Sequence, residues 1–364
     1  MDLKKQYLLH REALENATSK VCTSAKFILG PEVKQFEKNF ASYLGVKEAV
    51  GVASGTDALR LSCYALKIGP GDEVLVPANT FIATALGVYN LGGVPVPVDV
   101  YPESFLMDLA KAEKQLTDRT KAIIPVHLYG QSMNMDAISS FVKKHNLILI
   151  EDACQAHGAM WKGKRVGSFG VIGCFSFYPT KNLGAFGDGG LVATNDQRLA
   201  DQLRLLRNYG SVKKHIHKVT GTNSRLDSLH AAVLNVKLNF LNDWNKNRFQ
   251  AACRYADTLK DLKSIKVPNF DHDDILRHVF HLFVIQCDRR DELLAFLTER
   301  GIQCGIHYPV PIHLHQAFAS LGFKKGNFPV SEMLADRILS LPMFPEITDE
   351  QIDSVVKVIK EFYG

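Results

Sequence analysis

The chain has 364 residues, more than one compact core of about 250–300 residues usually holds, so one large and one small domain is expected. With 46% hydrophobic and 22% charged residues it has the composition of a globular protein with ample core material. The net charge of +5 and pI near 8.7 are only mildly basic, and no clustered basic run marks a nucleic-acid face, while a local cationic pocket for an anionic metabolite fits the same balance.

Lys4 and Lys5 near the start are not followed by an apolar signal core, and no apolar run is long enough to span a bilayer. A cytoplasmic protein without membrane contact is expected. Cysteines at 22, 63, 154, 174, 253, 287 and 304 are scattered, odd in number and free of Cys-x-x-Cys spacing. That pattern argues for a reducing compartment and against a disulfide framework or a zinc site.

Up to about residue 45 the chain reads as helices, with Pro31 after Gly30 at a helix start and Val33, Phe36 and Phe40 at helical spacing. Short apolar runs then alternate with amphipathic ones. Strands are predicted over 49–53, 73–76, 93–98, 122–126 and 147–150, and helices over 56–68 and 82–89 among others. Continuous apolar strands separated by helices imply an α/β fold with a mostly parallel sheet covered on both faces. Ligands of such sheets sit beyond the C-terminal strand ends. Residues 228–262 read as helix-rich, and the rest mixes strands such as 281–285 with helices over 291–300 and 349–362. The expected division is 1–245 for the N-terminal helices and large domain, and 246–364 for a small α+β domain.

The most informative stretch runs from Phe175 to Gly190: an apolar run that reads as a strand ending in Lys181, then a loop of small residues. Upstream, the apolar run 147–150 delivers Glu151 and Asp152 at its C-terminal end. A lysine and an aspartate on neighbouring strand ends are the pair that pyridoxal phosphate requires, one to hold the aldehyde and one to keep the ring nitrogen protonated. Each residue also has a plainer reading. Lys181 in a Pro-Thr-Lys-Asn loop could be solvated, and Glu151 and Asp152 could merely cap a helix. Ser54, Gly55 and Thr56 between a strand and a helix could cradle a phosphate or form an ordinary N-cap. Phe81 could lie on a cofactor ring or pack in the core, and Gln155 is close enough to Asp152 to reach a ring hydroxyl. His157 reads as a packed residue.

Two decoys are set aside. Residues 158–165 nearly match a phosphate-binding P-loop, but Arg165 stands where Ser or Thr should be, and Lys162-Gly163-Lys164 reads as a hairpin turn. His307, His313 and His315 resemble a metal cluster, but Pro309 and Pro311 prevent a helical ligand face. No metal is expected.

With Asp152-x-x-Gln155 and the run from Ser176 through Lys181 assembled, the chain resembles the DegT/DnrJ/EryC1/StrS family of sugar aminotransferases over essentially its whole length. The resemblance implies the fold-type I architecture of aspartate aminotransferase, pyridoxal 5′-phosphate as cofactor, and a homodimer with sites at the subunit interface. It implies Lys181 as the cofactor lysine, Asp152 at the pyridine nitrogen and Gln155 near the ring hydroxyl. Gly55, Thr56 and Ser176 are implied around the phosphate, Phe81 on the ring face, and Asn223 reaching the other subunit's cofactor phosphate. Segments around Lys213, Arg248 and His307-Tyr308 are similar to those of members that aminate C3 of a dTDP-linked 3-keto-6-deoxyhexose, with L-glutamate as donor. On that resemblance Lys213 and Arg248 would neutralise the pyrophosphate and His307 and Tyr308 would meet sugar hydroxyls; the plainer alternative is that Lys213 and Arg248 are solvated surface charges. Amination at C4 of a UDP- or GDP-linked sugar and a homologue without turnover remain the alternatives. Ser228 departs from the acid many relatives carry there, an effect expected at the helix start.

Overall fold

The apolar runs assemble into one seven-stranded sheet. Across it lie Glu48–Val52, Gly190–Thr194, Ile172–Ser176, Ile148–Asp152, Thr120–Ile123, Glu73–Pro77 and Val94–Val98, in that order. This is a computed structural model, and it describes residues 2–364. Every strand is parallel to its neighbour except Gly190–Thr194, which is antiparallel to both of its own. The exception has a simple cause. Parallel return needs a crossover of a dozen or more residues, usually a helix, whereas the loop leaving Ser176 contains none and turns straight back.

Successive side chains of these strands enter different cores, which is why the runs are apolar throughout rather than alternating. Val74 and Val76 join one cluster with Ile150 and Ile172, and Leu75 joins another with Ile123 and Leu149. A third cluster lies under the strand that precedes Lys181. Helix Pro31–Leu44, opened by Gly30 and Pro31 and closed by Gly45 at φ +75°, inserts Phe36 and Phe40 there. Phe40 meets Phe175 edge-on at 5.0 Å and Phe177 at 5.5 Å, and all four rings are buried. Ser228, the first residue of helix Ser228–Leu238, accepts the Gly30 N–H at 3.1 Å and so fixes the entry to this helix.

Helix Leu241–Leu259 passes without a break through the expected division at 245. Leu241 belongs to the aromatic cluster, and Phe249 through Leu259 to a fourth core with strands Ile265–Lys266, Phe283–Cys287 and Ile338–Leu341. Helices Arg290–Glu299 and Asp349–Tyr363 supply Leu293, Leu297, Val355 and Ile359 to that core. Met160–Trp161 and Lys164–Arg165 form the expected hairpin, with Lys162 and Gly163 at φ 48° and 79°, the left-handed pair of a tight turn. Among the described residues no helix is long and apolar enough to cross a membrane.

Because Phe40 packs on both Phe175 and Phe177 in the run that leads to Lys181, Phe40→Ala should cost about 3–5 kcal/mol of stability by urea denaturation. A loss within about 0.5 kcal/mol would show that the cluster repacks freely.

Candidate active site

Glu151 and Asp152 end the same strand and point in opposite directions. Glu151 has no exposed surface and accepts the N–H groups of Gly167, Phe169 and Gly170, each at 2.7 Å. His127 completes the set. Its Nδ1 accepts the Met133 N–H at 3.1 Å, which leaves Nε2, 3.1 Å from Glu151, to carry the hydrogen. Asp152, also buried, accepts the Cys154 N–H on Oδ1 at 3.1 Å and the Thr84 hydroxyl on Oδ2 at 2.9 Å.

Lys181 does not terminate a strand, in contrast to the sequence expectation. The strand ends at Ser176, and a turn follows in which the Lys181 N–H bonds the Tyr178 carbonyl at 2.9 Å. Pro179 cannot donate to a ladder, so the strand stops early. Two buried groups clamp the turn. The Asn182 amide donates to Asn245 Oδ1 at 2.8 Å and to the Val279 carbonyl at 2.9 Å, and Lys237 donates to the Gly184 carbonyl at 2.8 Å. Burial pulls the Lys237 ammonium down to about 8. The Lys181 amine lies 3.4 Å from His281 Nε2. Loss of solvent moves the Lys181 ammonium below the usual lysine range, with Cys154 and Asp152 acting the other way. Burial likewise keeps His281 neutral, well below the ordinary histidine range.

Gly55 opens helix Gly55–Ala65, and the Ser54 hydroxyl caps it by accepting the Asp57 N–H at 3.1 Å. The N–H groups of Gly55 and Thr56 have no acceptor within the helix. A Cβ on Gly55 would lie 2.6 Å from Ser176 Cβ and 3.0 Å from Cys154 Sγ, so only glycine lets this helix end meet Ser176. Gln155 is held at both ends of its amide: Oε1 accepts the Tyr129 N–H at 2.7 Å, and Nε2 donates to the Tyr308 hydroxyl at 3.0 Å. The Tyr308 ring stands 5.3 Å from Phe81, which is half exposed at this edge, and the Tyr129 hydroxyl bonds the His307 carbonyl. His307 Nδ1 pairs with Ser340 at 2.8 Å and His313 with Glu332 at 2.8 Å, so the two histidines face different partners.

Lys213 and Asn223 are exposed, on either limb of the segment that carries hairpin Ser211–Lys213 and Ile216–His217. Arg248 requires a correction. Its side chain is fully buried, and Nη1 donates to the carbonyls of Phe280, His281 and Met343, so it is not available for a pyrophosphate. Thr84, Tyr129, His281 and Asn182 were not singled out from sequence. Only Thr84 had a local signal, three residues after Phe81 on the predicted helix.

The pattern of the DegT/DnrJ/EryC1/StrS aminotransferase family matches residues 9–360. The chain belongs to that family. It is 48% identical to the erythromycin biosynthesis sensory transduction protein EryC1 of Saccharopolyspora erythraea, over 99% of this chain and 98% of that protein. It is 45% identical to the dTDP-3-amino-3,4,6-trideoxy-alpha-D-glucose transaminase of Streptomyces venezuelae, over 100% and 95% respectively. The crystal structure of S. venezuelae DesV in complex with a ketimine intermediate superposes with a TM-score of 0.96 at 45% identity, covering 100% of this chain and 97% of that one.

Aminotransferases of this family depend on pyridoxal 5′-phosphate, and the residues present fit it. An amine drawn out of water, an anchored carboxylate, an anchored amide and a helix end that a Cβ at Gly55 would block are the donor set this cofactor needs.

The buried histidines near the site have a consequence for acid stability. His157 and His278 are each pushed by burial from 6.5 to about 3. The unfolded chain takes up those protons below its own pKa and the folded chain does not, so stability is lost as pH falls from 6.5 towards 3. Each histidine should contribute about 1.4 kcal/mol per pH unit in that window. His278→Gln should flatten the slope of urea-derived stability against pH by about one proton, and an unchanged slope would show that His278 protonates in the folded state.

Proposed function

We propose that the protein transfers the amino group of L-glutamate to C3 of a dTDP-linked 3-keto-6-deoxyhexose, as a cytoplasmic homodimer with shared sites. The observation that carries this reading is the Lys181 amine, withdrawn from water at the same sheet edge as Asp152 in a chain of this family. When bound, pyridoxal 5′-phosphate supplies an electrophilic carbon and an electron-accepting ring. Lys181 Nζ would hold the cofactor and, once freed from it, would serve as the base for the proton at Cα of the amino donor. The Asp152 carboxylate would accept the ring N–H, and Gln155 would offer its remaining amide N–H to the ring hydroxyl. The N–H groups of Gly55 and Thr56 and the Ser176 hydroxyl would hold the phosphate, and Phe81 would pack on the ring. Residues 1–245 carry this set and 246–364 bring His307 and Tyr308 to the sugar.

The exposed hairpin supports a dimer: it carries Lys213 together with Val212 and Ile216, two apolar side chains open to solvent. In this reading Lys213 of the partner subunit meets the pyrophosphate and Asn223 of the partner subunit the cofactor phosphate.

Purified protein incubated with L-glutamate and a panel of keto sugars should yield the 3-amino product from the dTDP-linked 3-keto compound, by mass. Preferential turnover of a UDP- or GDP-linked 4-keto sugar would overturn the substrate assignment. Borohydride should fix a pyridoxyl group on Lys181 in peptide maps, and Lys181→Ala should lose about a thousandfold or more in turnover.

Mixing impaired Lys181→Ala and Asn223→Ala proteins tests the shared site. A mixed dimer carries both lesions in one site and neither in the other, so activity should return. No recovery despite proven subunit exchange would assign each site to one chain.

A further inference from the structure

We propose that Thr84 is the positioning residue of the Asp152 carboxylate and acts through it on the ring nitrogen of pyridoxal 5′-phosphate; the inference rests on the cofactor reading above. Thr84 and Thr80 are both buried, and their hydroxyls are 3.0 Å apart. Thr84 Oγ1 lies 2.9 Å from Asp152 Oδ2. A carboxylate only accepts, so the single Thr84 hydrogen goes to Asp152. Thr84 can then only accept from Thr80, and the relay has one direction: Thr80 to Thr84 to Asp152. A helical threonine ordinarily spends its hydroxyl on a carbonyl one turn back. This one, on helix Ile82–Tyr89, reaches across to another strand instead.

The bond matters because the last torsion of an aspartate is soft, with broad minima that do not fix the carboxylate plane. On the protein side that plane is set by two donors, Thr84 on Oδ2 and the Cys154 N–H on Oδ1. The Cys154 N–H belongs to the chain immediately after Asp152 and follows it if the strand end shifts. Thr84 does not. Its N–H bonds the Phe81 carbonyl at 3.1 Å, so the turn that begins at Phe81 also holds the carboxylate. Phe81 on the ring face and Asp152 at the ring edge are thereby held in one frame.

The test compares two ligands of the apoprotein by fluorescence quenching: pyridoxal 5′-phosphate, and its 1-deaza analogue, which has carbon in place of the ring nitrogen. Thr84→Val keeps the side-chain shape and removes the hydroxyl. It should weaken pyridoxal 5′-phosphate about tenfold and leave the deaza analogue unchanged, whereas Thr84→Ser should bind both as the parent does. Equal weakening of both ligands, or of neither, overturns the proposal. Should Thr84→Val not yield folded protein, Thr84→Ala is read by the same comparison. Asp152→Ala separates the two levels of the argument. If it discriminates between the ligands and the Thr84 variants do not, Thr84 alone loses its role. If Asp152→Ala does not discriminate either, the assignment of Asp152 to the ring nitrogen fails.

Discussion

Glu151 is a buried carboxylate surrounded by four donors, three of them backbone N–H groups from one loop, and the site depends on that bond set. Taking a carboxylate out of water costs several kcal/mol unless its acceptor sites are filled, so the loop at 167–170 and His127 have one low-energy arrangement around it. A strand sends consecutive side chains to opposite faces. Fixing Glu151 on one face therefore fixes the direction in which Asp152 leaves the other. The same loop feeds strand Ile172–Ser176, so Ser176 and the turn holding Lys181 inherit their position from this anchor. The orientation of one buried acid thus determines where its neighbour points.

The C-terminal part of the chain is bonded to the site from several directions. Gln155 bonds Tyr308, Tyr129 bonds the His307 carbonyl, and the Ile312 N–H bonds the Ala78 carbonyl at 2.8 Å, so the loop at 305–313 is pinned to the large domain at both ends. Gln155 has one amide hydrogen committed to Tyr308 and its oxygen committed to Tyr129. A glutamate there could only accept, so it would keep the Tyr129 bond, reverse the one to Tyr308 and leave no hydrogen to donate.

Much of this was legible in the sequence because strand ends advertise themselves. Asp152 follows an unbroken apolar run, and Gly55 sits between a strand and a helix, where few residues other than glycine tolerate close approach. The hairpin at Lys162-Gly163 was readable from turn chemistry alone. Lys181 was expected at a strand end and lies in a turn beyond it, since apolar periodicity does not register how Pro179 stops pairing. Arg248 was misjudged because its charge was weighed and its helical position was not. Trp244, Ala252, Tyr255 and Leu259 recur at steps of three, four or eight around it and are all buried, so Arg248 occupies a core stripe. His281 and Asn182 carry no local signal; their roles come from a partner about 100 or 60 positions away, which only tertiary packing supplies.

The one antiparallel strand also governs how the chain can be made. Glu48–Val52 pairs only with Gly190–Thr194, at the edge of the sheet. During synthesis at roughly 5–20 residues per second, the first strand of the sheet therefore emerges without a partner and waits roughly seven to thirty seconds for one. Val50 and Val52, both buried in the finished sheet, spend that interval beside an open ladder edge. Helix Pro31–Leu44, already synthesised and packed against Glu48–Val52 in the folded chain, is the nearest cover for it. The edge strand of the large sheet is thus covered first by a helix next to it in sequence and only later by its ladder partner.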